Sequence, residues 1–153
     1  MTVSVNLNFF HYKDRLVNKK NFQAGNLALE KYISNNMSQF EEQNMSRNYV
    51  GIDSNDNFVS VLCLSASTIK SDEKISDNSY PLHIEKPTIK IGRLVVDKRY
   101  RGNGYGTNTL QKAISIFVEV SKRIGSIGLT VDAKLESVDF YKKFGFINFS
   151  SAD

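Results

Sequence analysis

Cysteine and proline are scarce in this chain of 153 residues, and long apolar runs are absent. The single cysteine, Cys63, excludes an intramolecular disulfide framework, and we expect it to fill space in the core. No apolar stretch approaches the roughly 18–20 residues of a membrane-spanning helix, and the first residues lack a signal-peptide pattern. The sequence therefore predicts a cytoplasmic protein that has no membrane partner.

What is present is an ordinary globular composition, with 41% hydrophobic and 24% charged residues. Disorder, collagen and coiled coil are disfavoured by that mix. The length suits one domain over residues 1–153, and we find neither an internal repeat nor a linker rich in Pro, Gly or Ser. Twenty Lys and Arg against 16 Asp and Glu give a net charge of +4, which is compatible with an anionic cofactor or RNA but proves neither.

Hydrophobic periodicity predicts eight elements in the order β-α-β-β-β-α-β-α. The strand–helix–strand unit after the hairpin implies a parallel pair within a mixed sheet, and hence an α/β chain. Ser67–Tyr80 is predicted to be a surface loop, and Gly145 to cap the last helix. The predicted elements are a strand over Thr2–Phe10, a helix over Asn26–Phe40, a hairpin of Asn48–Asp53 and Phe58–Ser65, a strand over Thr88–Val96, a helix reaching about Arg123, a strand over Leu129–Val131 and a helix over Leu135–Phe144.

A glycine-rich turn, Arg101 to Gly106, joins a strand to a long helix. The first N–H groups of a helix lack internal partners, and glycines let an anion approach them. A P-loop is excluded because Gly106 is followed by Thr107 and Asn108 where Lys-Ser/Thr would be needed, and the Rossmann spacing of three glycines is also missing. Phosphate binding is the favoured interpretation; a tight turn without a ligand is the alternative.

The stretch Ile91–Gly106 resembles the acetyl-CoA motif of the GNAT N-acetyltransferases. The resemblance implies the GNAT acyl-CoA N-acyltransferase fold, with a central mixed, mostly antiparallel sheet flanked by helices, and acetyl-CoA as co-substrate with no metal. It also places pantetheine on Leu94, Val95 and Val96. The pyrophosphate would lie on Gly102, Asn103, Gly104, Tyr105, Gly106 and Thr107, next to the fixed charge of Arg101.

The stretch Phe140–Phe146 resembles a second hallmark of that family, in which a tyrosine on the last helix faces the CoA sulfur. Tyr141 is then the catalytic acid that protonates the leaving thiolate, although a core aromatic is the alternative. An amide N–H near Val96 would stabilise the oxyanion. No convincing general base is found, because the two histidines (His11 and His83) and Glu85 are expected to be surface groups. An α-amino acceptor, with a pKa near 7.7–8.0, would need only water as its base.

The segments Phe22–Leu29, Met45–Val50 and Gly92–Asp97 are similar to the toxins of GNAT-type toxin–antitoxin modules. That narrower resemblance implies acetylation of the α-amino group of aminoacyl-tRNA and a ribbon-helix-helix antitoxin as partner. Free amino acids, polyamines or other small amines are alternative acceptors, a non-catalytic CoA-binding module is another class, and the choice between monomer and homodimer is open. Basic side chains would hold tRNA phosphates, with solvated faces as the alternative: Arg47, Arg93 and Lys142, together with Lys19, Lys20 and Lys143.

Overall fold

The computed structural model describes residues 6–70, 80–81 and 83–148. Residues 2–5 of the predicted first strand, 71–79 of the predicted loop and the chain after residue 148 lie outside those ranges. The described elements are β1 (Asn8–His11), α1 (Leu27–Lys31), a π-helical turn (Tyr32–Asn36), α2 (Met37–Glu42), β2 (Arg47–Ile52), β3 (Phe58–Ile69), β4 (Lys86–Val96), α3 (Tyr105–Ser121), β5 (Leu129–Val131) and α4 (Val138–Lys142).

The strands form one sheet in the order β1-β2-β3-β4-β5. Adjacent strands from β1 to β4 are antiparallel, whereas β5 runs parallel to β4 because α3 carries the chain back across the sheet. This mixed, mostly antiparallel sheet flanked by helices confirms the predicted fold class and the predicted element order.

Each face of the sheet has its own apolar core. The α1–α2 face includes Phe22, Ile33 and Met37 packed on Val61 and Val95. Cys63 is 2% exposed in the same core, as predicted. On the α3 face the buried residues are Leu62, Leu64, Ile89, Ile91, Leu110, Ala113 and Tyr141.

The predicted helix over Asn26–Phe40 needs a correction, since it is interrupted by a π-helical turn. Its start is well defined, because the Asn26 side chain accepts hydrogen bonds from the N–H groups of Ala28 and Leu29. Tyr32 and Ile33 are both buried, although an ideal α-helix directs consecutive side chains about 100° apart. The wider turn accompanies that double burial.

The predicted Ser67–Tyr80 loop begins too early, because β3 continues to Ile69 and pairs there with Lys86. Strand β4 likewise starts two residues before the predicted Thr88. The carbonyl of Pro87 turns toward the β5 side, where it accepts a hydrogen bond from the N–H of Ile127 at 2.9 Å. Because the N–H and carbonyl of a strand residue point the same way, the N–H that proline lacks is not needed for the pairing with β3. Ser67 and Thr68 are polar, so apolar periodicity gave no strand signal over this extension of the β3–β4 pair.

Candidate functional site

Strands β4 and β5 separate partway along their length. They pair only from Ile89 opposite Leu129 to Ile91 opposite Val131, and then diverge. A groove of about 570 Å³ opens at this point. One wall comes from the chain before and within α1, and the other from the segment between β5 and α4. The residues at its floor are those of the far end of β4, which the sequence predicted to hold a pantetheine arm.

A β-bulge at Gly92 sets which backbone groups of β4 face the groove. The pairing with β3 shifts there, since Leu64 lies opposite Ile91 but Cys63 lies opposite Arg93. Beyond the bulge, the N–H of Asp97 donates to the carbonyl of Val59 at 2.8 Å.

Hydrogen-bonding directions alternate along an antiparallel strand, so the backbone N–H and C=O groups of Arg93, Val95 and Asp97 face β3. The backbone groups of Leu94 and Val96 therefore point to the opened edge, where β5 no longer pairs with them. Of the three residues predicted to contact pantetheine, Leu94 presents a main-chain donor and acceptor and Val96 a main-chain donor, because the carbonyl of Val96 already accepts from Arg101. The backbone of Val95 is committed to the sheet.

The glycine-rich turn delivers unpaired amides to the end of the same groove. Gly104 precedes α3 with φ +81°, a left-handed conformation that costs a side-chain-bearing residue roughly 1–2 kcal/mol. The first backbone bond of the helix runs from the N–H of Asn108 to the carbonyl of Gly104 at 3.1 Å. The amides of Tyr105, Gly106 and Thr107 consequently precede the helix's own hydrogen bonds and are available to an anion.

Gly106 keeps the passage between this turn and α4 open. A Cβ atom added there would lie 3.7 Å from Cζ of Phe140 and 3.9 Å from Cγ2 of Val96, which is ordinary contact. The protein packing alone thus tolerates a Cβ atom at Gly106, yet none is present beside the exposed amides. An open passage, anion-binding amides and a polar strand edge together fit a CoA-like molecule.

Arg101 is used differently from the simple phosphate contact that its position suggests. Its Nη2 atom donates to the carbonyl of Ala24 at 2.7 Å and its Nε to the carbonyl of Val96 at 3.3 Å. The guanidinium thus ties the end of β4 to the chain that precedes α1, and still lines the groove with its charge. Asn103 donates from its side chain to the carbonyl of Tyr100 at 3.0 Å and so holds the turn itself.

Buried Asp97 anchors the corner at which the end of β4, the glycine-rich turn and the chain before α1 meet. Its carboxylate accepts from the N–H of Gln23 at 2.9 Å and from the side chain of Arg99 at 2.8 and 3.0 Å. Burial alone would raise the pKa of Asp97, but these hydrogen bonds outweigh it and lower that pKa. At neutral pH the ionised Asp97 side chain therefore ties the end of β4 to Arg99 and to Gln23, in the chain before α1.

Tyr141 faces the groove from α4 and is only 7% exposed. Its ring packs edge-on against Phe140 at 5.1 Å and Phe146 at 5.3 Å between centroids. Burial raises its pKa to about 12. Its hydroxyl has no hydrogen-bond partner within the described ranges, so a protonated phenol is presented to whatever occupies the groove. The predicted cap follows, with Gly145 at φ +89° and the N–H of Phe146 bonded to the carbonyl of Tyr141.

None of the groups considered as bases lines this groove. His11 donates to or accepts from buried Glu41 at 2.8 Å on the opposite part of the sheet. His83 and Glu85 precede β4 at its other end. The two carboxylates that do line the groove, Asp132 and Glu136, were missed by sequence reasoning because they lie in a polar connection without a recognisable pattern.

The three predicted substrate-binding cations are not brought together. Arg47 is bonded to Glu41 and to Asn44, and Lys142 is exposed on α4 outside the groove. Arg93 alone of the three lines the groove, with its guanidinium 3.5 Å above the centroid of the Tyr32 ring. Tyr32 gave no sequence signal of its own, because it occupies an apolar helix position.

Within residues 6–70, 80–81 and 83–148, no helix is long and apolar enough to cross a membrane. Nor do three or more His, Cys, Asp or Glu side chains gather there in a way that could hold a metal ion.

Comparison with known proteins identifies the family. The sequence profile described as the acetyltransferase (GNAT) family matches residues 18–146, so the chain belongs to that family, as its motifs predicted. Solved structures share the fold over nearly the whole chain. A tyrosine-to-phenylalanine variant of KacT superposes with a TM-score of 0.83 at 22% identity, covering 97% of this chain and 89% of that one.

Two structures of the toxin AtaT are also similar. AtaT complexed with acetyl-methionyl-tRNAfMet gives a TM-score of 0.81 at 21% identity, covering 93% of this chain and 87% of that one. A mutant AtaT bound to the C-terminus of the antitoxin AtaR and acetyl-CoA gives 0.76 at 21% identity, covering 95% and 87%. At these identities the likeness establishes the fold.

Proposed function

We propose that this acetyltransferase uses acetyl-CoA to acetylate the α-amino group of aminoacyl-tRNA in the cytoplasm, and that a small ribbon-helix-helix antitoxin controls it. The observation that carries the proposal is the groove in which the opened edge of β4 leads to the unpaired amides of α3. A molecule with an extended, amide-containing arm and a diphosphate at one end would pair its arm with the edge of β4 and its diphosphate with the amides of α3. The similarity to AtaT structures with acetyl-CoA, acetylated tRNA and antitoxin supports the particular co-substrate, acceptor and partner.

The chain's own groups divide the work along the groove. Leu94 and Val96 offer backbone hydrogen bonds to the pantetheine arm, and the amides from Gly102 to Thr107 hold the pyrophosphate. Acetyl-CoA supplies the acetyl group as a thioester. The N–H of Val96 points toward the opened edge, where it would stabilise negative charge that develops on the thioester oxygen.

Tyr141 is the proposed proton donor. With a pKa of about 12 it keeps its proton at every physiological pH, and its hydroxyl is not engaged by another described residue. It therefore holds a proton at Oη for the sulfur that leaves. Burial weakens it as an acid, but a thiolate that is desolvated beside it would also have a raised proton affinity.

The acceptor class is inferred from the absence of a histidine among the groups that line the groove. Lysine, with a reference pKa near 10.4, must lose a proton before it attacks, whereas an α-amine near 7.7–8.0 is already partly neutral. Neither histidine of the chain lines the groove, and of its two carboxylates Asp132 is paired with Lys90, so Glu136 is the one unpaired candidate base among the described lining residues. An acceptor that is already partly neutral is therefore favoured. Of the predicted tRNA contacts, Arg93 would meet the reacting end, while Arg47 and Lys142 would touch RNA only outside the groove.

The test is a direct acetylation assay. The protein is incubated with radiolabelled acetyl-CoA and total charged tRNA, and the RNA is then digested and searched for N-acetyl-aminoacyl-adenosine. Deacylated tRNA, free amino acids and polyamines are run in parallel. Label on charged tRNA alone supports the proposal, label on a small amine instead replaces the acceptor, and CoA binding without any transfer supports a non-catalytic module.

A further inference from the structure

The arginines of the described chain differ in what their guanidinium groups do. Arg101 bonds to two backbone carbonyls, Arg99 is paired with Asp97, and Arg47 is paired with Glu41. Arg93 has no hydrogen bond or ion pair with any described residue. Its guanidinium instead makes a cation–π contact with the face of the Tyr32 ring. The N–H donors of its guanidinium therefore bond to no described residue, and they lie at the wall of the groove.

Tyr32 is held in place more firmly than a ring that merely fills space. It is 2% exposed, and its hydroxyl donates to Oδ1 of Asn48 at 2.8 Å and lies 3.4 Å from Sγ of Cys63. Asn48 is fully buried and its own N–H donates to Glu41 at 2.9 Å. The ring that supports Arg93 is thus tied to β2 and β3, so the guanidinium rests on a fixed surface.

The position of Arg93 separates it from the cofactor's phosphates. It lies three residues before Val96 on β4, roughly 10 Å along the strand at about 3.3 Å per residue. The glycine-rich turn follows the Val96 end of that stretch, which is the end away from Arg93. An anion at Arg93 therefore belongs to the molecule that enters from the α1 side, which is the acceptor.

We propose that Arg93 binds a phosphodiester of the acceptor's 3′ end, and that Tyr32 is a positioning residue that orients the guanidinium by stacking beneath it. The inference rests on the proposed function. A planar guanidinium presents paired N–H donors that match two phosphate oxygens, and stacking on a fixed ring reduces the freedom lost on binding. The device selects amines that carry a nearby phosphate over amines that do not.

The test compares two acceptors, aminoacyl-tRNA and a phosphate-free aminoacyl-adenosine. Arg93→Gln should raise KM for aminoacyl-tRNA roughly 10- to 100-fold with kcat within about two-fold, and leave the aminoacyl-adenosine unaffected, because charge-assisted contacts remote from the reacting atoms act uniformly on ground and transition states. The matched control is Arg123→Gln, an equal loss of charge at an exposed position outside the groove, which should change neither KM. Equal loss on both acceptors, or weaker CoA binding in calorimetry, would overturn the inference.

Variants at Tyr32 separate positioning from packing. Tyr32→Phe keeps the ring and should keep the preference for the phosphate-bearing acceptor, whereas Tyr32→Leu should lose it about 3- to 10-fold. Adding Tyr32→Leu to Arg93→Gln should cause no further loss of preference, and an additive loss would show that Tyr32 does not act through the arginine. Arg93→Lys, which alters only a half-exposed side chain, should show an intermediate preference even if Tyr32→Leu fails to fold.

A binding readout keeps this inference distinct from the proposed function. A 5′-phosphorylated oligoribonucleotide that ends in CCA is titrated into the protein with saturating CoA. Tighter binding by wild type than by Arg93→Gln, at least ten-fold, supports the arginine contact even if no charged tRNA is acetylated. Equal affinity of the two proteins contradicts it even if acetylation is robust.

Discussion

Replacing Tyr141 by phenylalanine removes one oxygen atom from the proposed reaction centre and leaves the aromatic packing in place. The ring contacts with Phe140 and Phe146 involve carbon atoms that phenylalanine retains. The lost hydroxyl has no hydrogen-bond partner among the described residues, so no protein group is orphaned by the change. Activity and stability should consequently respond in different ways.

The expected loss of activity is large. A positioned proton donor contributes about 10²- to 10⁴-fold, so kcat should fall by at least about 100-fold while KM for acetyl-CoA changes little. Stability should change by less than about 0.5 kcal/mol, because the hydroxyl bonds to no described residue and faces the groove, and the ring packing is kept.

The assay is steady-state acetyl transfer with saturating acceptor, together with urea unfolding of the same preparations. Tyr49→Phe is the matched control, since Tyr49 is a half-buried tyrosine whose pKa is also raised by burial but which does not line the groove. A kcat for Tyr141→Phe within three-fold of wild type would refute the role of the phenol. A loss of more than 2 kcal/mol in unfolding free energy would show that the hydroxyl has a structural partner.

Three further predictions address the turn, the pH dependence and the buried corner. Gly104→Ala forces a side chain into φ +81° and should cost about 1–2 kcal/mol in urea unfolding and weaken CoA binding in calorimetry, whereas unchanged values would show the turn to be adaptable. Since burial raises the pKa of Tyr141 to about 12, kcat/KM should rise as the acceptor amine loses its proton near pH 8 and then stay level to pH 10; a decline near pH 9 in the rate profile would contradict a protonated phenol. Asp97→Ala should cost about 3 kcal/mol at pH 7, a difference that is complete above the ordinary pKa of 3.8 and shrinks as pH falls through the lowered folded value; an acid-independent difference in chemical unfolding would mean that the carboxylate is not the anchor.

The sequence predicted the features that depend on local pattern. The order of elements followed from apolar periodicity, and the parallel pairing of β4 with β5 followed from the helix between them. The turn before α3 could be located because three glycines interrupt an otherwise regular strand–helix junction. The cap at Gly145 was likewise predictable, since glycine commonly follows the last turn of a helix.

The features that were missed depend on partners distant in sequence. Nothing near Arg101 shows that its guanidinium meets the carbonyl of Ala24, and nothing near Arg93 indicates the ring of Tyr32 beneath it. The bulge at Gly92 had a weak signal, a glycine inside a strand, but the register that it sets is visible only once β3 is paired with β4. That register decides which backbone groups reach the groove, so the chemistry of the site required the assembled sheet.

The opened edge of β4 and the amides of α3 together form the proposed binding site for coenzyme A. Titration calorimetry with CoA on wild type and Gly106→Val tests this proposal, since the new Cβ atom would meet only ordinary contacts in the folded protein and the two methyl groups beyond it would narrow the passage beside the amides. We predict one-site binding by wild type and at least ten-fold weaker binding by a variant whose circular dichroism spectrum is unchanged. Absence of binding heat with the wild-type protein, or equal affinity of the two proteins, would contradict the account.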